Sequence, residues 1–441
     1  MTVTQPSTTY EVLRGRVQER LAGAQLDTDG DPERVRELIE SVVDGYQREA
    51  ATGVGGRLLS NTDQMAARLA RSVLGYGPFA PYIDAENPPI EVTARGSFVV
   101  SKDEFGRLHT SDEPTTEEEV LHAVLRLLEP TGRPLTEAQP LVSTQVLGRR
   151  ARLTASIPPV SDELEVNLRF YRLVHVELVD LIGWDTLTPA AANFMWAVMR
   201  HPRTGVLVAG PPQAGKTTFA NALLRAIPNS HVVNVVEDTR ELNAPLMQIS
   251  YRCTRPPTGL SDQDSEITLR HLVKMCLRSS PTRIVVGEVR EAEAVELTRA
   301  SNAGTAMLVT LHANSAADAL DALSNAALLG DHQMSPDIVR AVFAHNIEVV
   351  VYLDSEDVEL RGDDHRRVRR QVMEIAAVTP FQAGESRFTL VPIFQRADIG
   401  APLLPTGHPL PERLGERLTK VLARYGTTVQ ALLDGHEVIR Q

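Results

Sequence analysis

The chain has 441 residues and a formal net charge of −12, from 45 lysines and arginines against 57 aspartates and glutamates. That length exceeds the ~250 to 300 residues at which single cores stop growing, so two or more domains are expected, and the acidic balance argues against a mainly electrostatic nucleic-acid binder. Cys253 and Cys276 are too few for a disulfide framework or a four-cysteine zinc site, and neither a membrane-spanning apolar run nor a basic-then-apolar N-terminus is present, so a cytoplasmic protein that meets a membrane only through partners is expected.

Residues 1–74 carry three helical patterns, Tyr10–Leu21, Asp31–Tyr46 and Asp63–Leu74, separated by DTDGD and ATGVGG. Many of their positions are charged and few are large and apolar, so the segment either packs on a neighbour or moves as an arm. Residues 75–175 read as a compact α+β domain, with strands near Ile90–Thr93, Ser97–Val100, Arg152–Ser156 and Val166–Tyr171 and a helix over Thr116–Leu128. Its end is rich in arginine (Arg149, Arg150, Arg152, Arg169, Arg172), which is either a solvated charged face or a set of phosphate contacts at a boundary. Residues 176–189 read as a linker and hinge leading to a helix over Ala190–Arg200.

The next stretch carries the chemistry. The apolar run Val206–Ala209 reads as a buried strand, and it feeds Gly210, Pro211, Pro212, Gln213, Ala214, Gly215, Lys216, Thr217 and Thr218, a G-x-x-x-x-G-K-T phosphate loop followed by a helical pattern to Ile227. Loop and first-turn N–H groups point at a polyphosphate there, aided by the helix dipole, while the lysine reaches the β and γ phosphates and the threonine hydroxyl binds Mg²⁺. Lys216 and Thr217 take those roles for ATP and Mg²⁺. A chance glycine-lysine turn would not have strand, loop and helix in agreement.

A second apolar strand, Val232–Val236, ends in Glu237, Asp238, Thr239, Arg240 and Glu241. In a parallel α/β sheet the carboxyl ends of strands face the ligand crevice, so this acidic cluster is either part of the site or an ordinary capping turn. A third strand, Ile284–Val286, runs into Gly287 and Glu288, the pattern in which an acid holds the Mg²⁺ shell or orients water. A helix from Glu291 to Asn302 stops at Gly304, and the strand Met307–Leu311 ends at His312, which either senses the γ-phosphate or is a satisfied structural histidine. Ser315 caps a helix over Ala316–Leu329, strands follow at Ile347–Leu353, Gln371–Ala377 and Phe388–Phe394, and residues 381–441 read as an appended tail.

Taken together, LGYGPFAPYID with PPIEV, GRPL, ASIPPV, GPPQAGKTT, VVEDTRELN, LRSSPTRIVVGEVREAEAVEL and TLHANSAADAL resemble the type II/IV secretion-system ATPases, and within them the CpaF-like ATPases of Tad (Flp) pilus assembly. The resemblance runs from about residue 74 to residue 330. It implies an α/β fold in which a RecA-like P-loop ATPase domain, residues 190–380, follows the smaller α+β domain and the helical arm. It further implies a homohexamer working with inner-membrane platform proteins, with Glu237 and Glu241 as an acidic box, Glu288 as the magnesium-binding Walker B acid, and His312 as the histidine box. Glu241 is then the water-activating base. Arg169, Arg278 and Arg283 fall on family arginines and are the candidates for phosphate contact, one of them as an arginine finger.

The sequence departs from that pattern at four places. Gln213 stands where the family has a glycine suited to a left-handed backbone, which implies a shifted or slower loop. Thr305 stands for a first histidine, Ser143–Gln145 for an aspartate-alanine-arginine stretch, and Ser280 for another arginine. Two other functions share the motifs: a nucleotide-gated ring subunit with little hydrolysis, and a conjugative DNA-transfer ATPase.

Overall fold

The computed structural model describes the chain apart from residues 1–8, 25, 27–29, 54–55, 104–105, 112, 172–174, 256–265, 332, 360–365, 380–387 and 435–441. The chain divides into two units, one ending at Tyr171 and the other beginning at Arg172.

In the first unit, helices α1 (Thr9–Ala24), α2 (Pro32–Ala51) and α3 (Thr62–Leu74) close around Leu13, Val17, Ile39, Val43 and Leu69. After the short α4 (Ala80–Ile83) come β1 (Glu91–Arg95), β2 (Phe98–Lys102), β3 (Leu108–Thr110), α5 (Glu117–Leu128), β4 (Leu141–Val146), β5 (Ala151–Ser156) and β6 (Glu165–Phe170). The strands form an antiparallel sheet in the order β3-β2-β1-β6-β5-β4. Helix α5 starts where the sequence says it should, because Thr116 and Glu119 form a reciprocal capping box. Its stripe of Val120, Ala123, Val124, Leu127 and Leu128 shares a core with Val92, Leu153 and Leu168 of the sheet.

The three-helix segment is fastened to this domain. Arg68 forks onto buried Glu119 at 3.0 and 2.7 Å, Arg14 meets Glu118 at 3.2 Å, and Arg71 meets Glu113 at 2.5 Å. Of the two readings of residues 9–74, packing on a neighbour is the one observed, since the charges that made the segment look detachable are the fastening.

The second unit begins with α6 (Leu178–Gly183) and α7 (Pro189–Arg200), then β7 (Gly205–Ala209), α8 (Lys216–Arg225), β8 (Val233–Glu237), β9 (Ile249–Cys253), α9 (Leu269–Cys276), β10 (Arg283–Val286), α10 (Glu293–Asn302), β11 (Ala306–Leu311), α11 (Ala316–Gly330) and α12 (Pro336–Asn346). It continues with β12 (Ile347–Glu359), β13 (Arg366–Thr379), β14 (Thr389–Gln395), β15 (Leu404–Pro405), α13 (Glu412–Leu422) and α14 (Val429–Leu433). The sheet runs β9-β8-β10-β11-β7-β12-β13-β14-β15. The first six of these strands are parallel, and β13 to β15 are added antiparallel. Strand β11 lies between the strand that enters the phosphate loop, β7, and the strand that ends in Glu288, β10, which is the RecA-like order.

Both faces of the sheet are covered, so the central strands are mostly apolar, with Asn234, Arg283, Thr310 and Glu348 as buried polar exceptions. Val206 and Val208 of β7 join the core formed with α6 to α8, α13 and α14, and Leu207 and Ala209 join the core formed with α9 to α12. Two expectations change here. The linker is a packed element, with Val176, Leu178, Leu181 and Leu187 buried in the first core. The C-terminal stretch is no appended tail, because β14 and β15 extend the sheet and Leu403, Leu414, Leu418, Leu422 and Leu432 belong to the same core.

Candidate functional site

The parallel strands end together. Ala209 of β7 is level with Leu311 of β11 and Tyr352 of β12, and Val286 of β10 is level with Val309 and Val236. The segments that follow these ends carry Gly210 to Lys216, His312, Glu288 and Glu237, so the topology alone gathers most of the residues singled out by sequence.

Gly210 is glycine for steric reasons, since a Cβ there would run into the carbonyl oxygen of Leu353. Gly215 adopts φ +91° as the N-cap of α8 and supplies no side-chain cap, so first-turn N–H groups are left for an anion. Gln213 sits at φ +64°, the left-handed conformation that the family glycine would adopt. The substitution thus leaves a side chain on left-handed backbone, at a strain of about 1 kcal/mol. Arg370 on β13 donates from Nε to the Gln213 carbonyl at 2.8 Å.

Lys216 is 7% exposed and its three ammonium hydrogens have three acceptors: Gly210 O at 3.0 Å, Pro211 O at 2.8 Å and His312 Nδ1 at 3.1 Å. Burial lowers its pKa, and Glu288 opposes that shift. With Nδ1 accepting, Nε2 of His312 is the protonated nitrogen, and it lies 2.6 Å from Glu288 Oε1. The other oxygen of Glu288 accepts from Arg290 Nε at 2.8 Å, and Arg290 Nη1 is 3.7 Å from Asp238 Oδ2. A continuous polar chain thus runs from Lys216 through His312, Glu288 and Arg290 to Asp238.

Glu237 has a different place. It is 4% exposed, and its Oε1 accepts the backbone N–H of Glu241 at 3.1 Å and of Leu242 at 3.0 Å. Burial pushes its carboxyl up to about 8, with those two amides opposing. A Cβ on Gly287 would come within 2.8 Å of the Glu237 Cγ, so that glycine makes room for the glutamate stem. Glu237 is built to hold the turn that carries Glu241, which is itself half-buried.

The structure does not gather the predicted arginines at the loop. Arg283 is the first residue of β10, level with Val233 and Ala306 at the amino edge of the sheet, about 10 Å of strand from Val286. It is fully buried and its guanidinium is committed to Thr204 O at 2.6 Å and His201 O at 3.1 Å. Its expected phosphate contact is therefore corrected to a structural role, satisfying carbonyls after α7. Arg278 lies exposed in the turn leading into β10, and Arg169 lies on the exposed side of β6, level with Glu91 and Arg152.

Arg290 and Arg370 were missed as site residues, while Asp238 and Gly287 stood in the strand-end stretches expected at the site without a role of their own. Arg290 had a signal, two positions after Glu288 in an apolar run ending in acids. Arg370 had none, being 157 residues from Gln213. Thr217 and Thr218 are half-buried on the first turn of α8. Among the described residues no three His, Cys, Asp or Glu form a metal cluster. Mg²⁺ takes one or two protein oxygens and otherwise phosphate and water, and Thr217 and Glu288 are the residues that would supply the protein share.

A RecA-like sheet with a phosphate loop on its first strand and acids on neighbouring strand ends defines a P-loop nucleotide-binding protein. The chain belongs to the type II/IV secretion system protein family, whose profile matches residues 140–353. It is 34% identical over 272 residues to a Mycobacterium tuberculosis protein named for conjugal transfer, covering 58% of this chain and 75% of that one. It is 29% identical over 312 residues to an uncharacterized Methanocaldococcus jannaschii protein, covering 69% of this chain and 53% of that protein, so it spans about half the length of that relative. Among solved structures, the Legionella pneumophila ATPase DotB is similar with a TM-score of 0.46 and 16% identity, over 68% of this chain and 79% of that chain.

Proposed function

We propose that this protein is an ATP-hydrolysing motor subunit that works as a homohexamer at the inner face of a membrane, driving Tad (Flp) pilus assembly or type II/IV secretion through inner-membrane platform proteins. One observation carries the reading: the loop lysine, Lys216, is tied through His312 to the strand-end acid Glu288. The reaction is attack of water on the γ-phosphate, giving ADP and phosphate, with positioning and electrostatics supplying most of the rate. Loop amides and Lys216 bind the phosphates, Glu241 takes the water proton, and Glu288 and Thr217 serve the magnesium. Bound Mg²⁺ neutralises charge on the β and γ phosphates.

Arg169 and Arg278, both exposed, are the arginines left to meet phosphate once Arg283 is removed. Membrane attachment is through partners in this reading, and no helix among the described residues is long and apolar enough to cross a membrane. A conjugative DNA-transfer motor is the second reading, favoured by the name of the Mycobacterium tuberculosis relative and disfavoured by the net charge of −12. Phosphate release by the wild type and by Lys216→Ala, with sedimentation for ring size and salt-sensitive stimulation by DNA as the discriminating arm, tests these readings. Equal release by the two proteins removes the motor.

A further inference from the structure

We infer that Arg370 is a positioning residue for the phosphate loop, and that it is needed because Gln213 stands where a glycine would hold the left-handed turn unaided. The inference rests on the nucleotide-binding reading of residues 210–218 and assigns the residue that keeps this loop in shape.

Gln213 is one of four non-glycine described residues with positive φ, and the only one of them in the phosphate loop. Without an external tie, an L-residue there drifts toward negative φ, which turns its peptide and spoils the inward array of N–H groups. Arg370 supplies that tie, its Nε donating to the Gln213 carbonyl at 2.8 Å. The same side chain lies along the loop: a Cβ placed on Gly215 would be 3.4 Å from the Arg370 Cδ. The base from which it reaches is fixed. The Arg370 carbonyl accepts the Thr186 hydroxyl at 3.1 Å, and Val372 N–H donates to Thr186 O at 3.1 Å. Next to it, fully buried Gln371 donates from Nε2 to the backbone and carboxylate of Asp185 at 2.9 and 2.8 Å. Strand β13 is thus pinned at Arg370 and at the two residues that follow it, and the guanidinium reaches Gln213 from that anchored base.

The test is a double-mutant cycle on the full chain, read in two ways. Hydrogen exchange without nucleotide should show faster exchange in the peptide covering residues 210–217 of Arg370→Ala, with the rest of the chain unchanged. Titration with a fluorescent ADP analogue should show Arg370→Ala weakening affinity about tenfold, the size expected for a charge-assisted hydrogen bond. In a Gln213→Gly background the same substitution should cost no more than about twofold, because glycine needs no tie. Equal losses in the two backgrounds would overturn the inference and make Arg370 a direct contact or a fold residue. Unchanged exchange in Arg370→Ala would overturn it as well, independently of any nucleotide. Failure of the binding reading itself looks different: wild type and Lys216→Ala would then give the same titration, while the exchange arm still reports on the loop.

Discussion

His312 holds the place on Lys216 that a phosphate would fill: Nζ lies 3.1 Å from Nδ1, and the other two ammonium hydrogens are already spent on the carbonyls of Gly210 and Pro211. An ammonium has three donors, so a nucleotide phosphate that bonds Lys216 displaces one of these acceptors. The histidine is the acceptor a phosphate can replace, being a side chain 46% exposed, whereas the carbonyls belong to the loop backbone.

The first prediction follows from that competition. His312→Ala should tighten binding of an ADP analogue by about fivefold, the worth of one net hydrogen bond, because the displaced partner is gone. Turnover should fall at the same time, since the ring also holds Glu288 Oε1 at 2.6 Å. Fluorescence titration and phosphate release measure the two effects, and weaker binding would sink the competition.

The two acids of the box should separate by isosteric substitution. Glu237 accepts two amides through one oxygen and its carboxyl is pushed up to about 8, so near neutral pH it is a protonated acceptor. A glutamine reproduces that acceptor, and Glu237→Gln should cost less than about tenfold in turnover, whereas Glu241→Gln, if Glu241 is the base, should cost ~10² to 10⁴. Steady-state phosphate release at pH 7.5 compares them. Similar large losses in both would return Glu237 to the chemistry.

What the residues disclosed depended on how local the information was. The phosphate loop, Glu288 and His312 were legible because each lies within a few residues of an apolar strand whose end the parallel topology fixes. Strands β4 and β9 and helices α9 and α12 were not, since short or polar segments such as Ile249–Cys253 become strands only by pairing with a neighbour, here β8. Arg283 misled for the same reason in reverse. Its position in a motif and at the amino end of the strand was visible, but only the sheet shows that this end is level with Val233 and Ala306, at the edge away from the loop. Arg370 depends on a pairing of distant strands, and the integration of α13 depends on a core that no local pattern announces.

The C-terminal helix gives a stability prediction. Glu348, 4% exposed at the start of β12, meets Arg413 of α13 at 2.9 Å and Arg417 at 2.7 Å. Burial raises its carboxyl, and Arg417 and then Arg413 oppose this. Glu348→Ala takes the shared acceptor from Arg413 and Arg417, which are 34% and 14% exposed and so partly solvated, and should cost about 1 to 3 kcal/mol. Urea unfolding followed by circular dichroism measures it, and a loss below about 1 kcal/mol would mean that the helix is held by Leu414, Leu418 and Leu422 alone.

Two histidines near the amino edge of the sheet set a pH dependence. Burial lowers both His201 and His231 to about 4, helped by Arg417, Arg283, Arg203 and Lys420 around His201 and by Arg283 and Arg200 around His231. Their folded pKa lies below the unfolded value of about 6.5, so between those limits the unfolded chain binds more protons, and stability is lost as pH falls from about 6.5 toward 4. Glu237 and Glu348, raised by burial, act in the opposite sense, so the wild-type curve is a sum and only a difference isolates the histidines. Relative to His201→Gln/His231→Gln, the wild type should lose about 2 kcal/mol of unfolding free energy between pH 7.5 and pH 5, after halving for partial solvent access. Urea midpoints of both proteins at the two pH values measure the difference; a gap that does not change with pH would show that the rings titrate normally and that the arginines around them exert no net field.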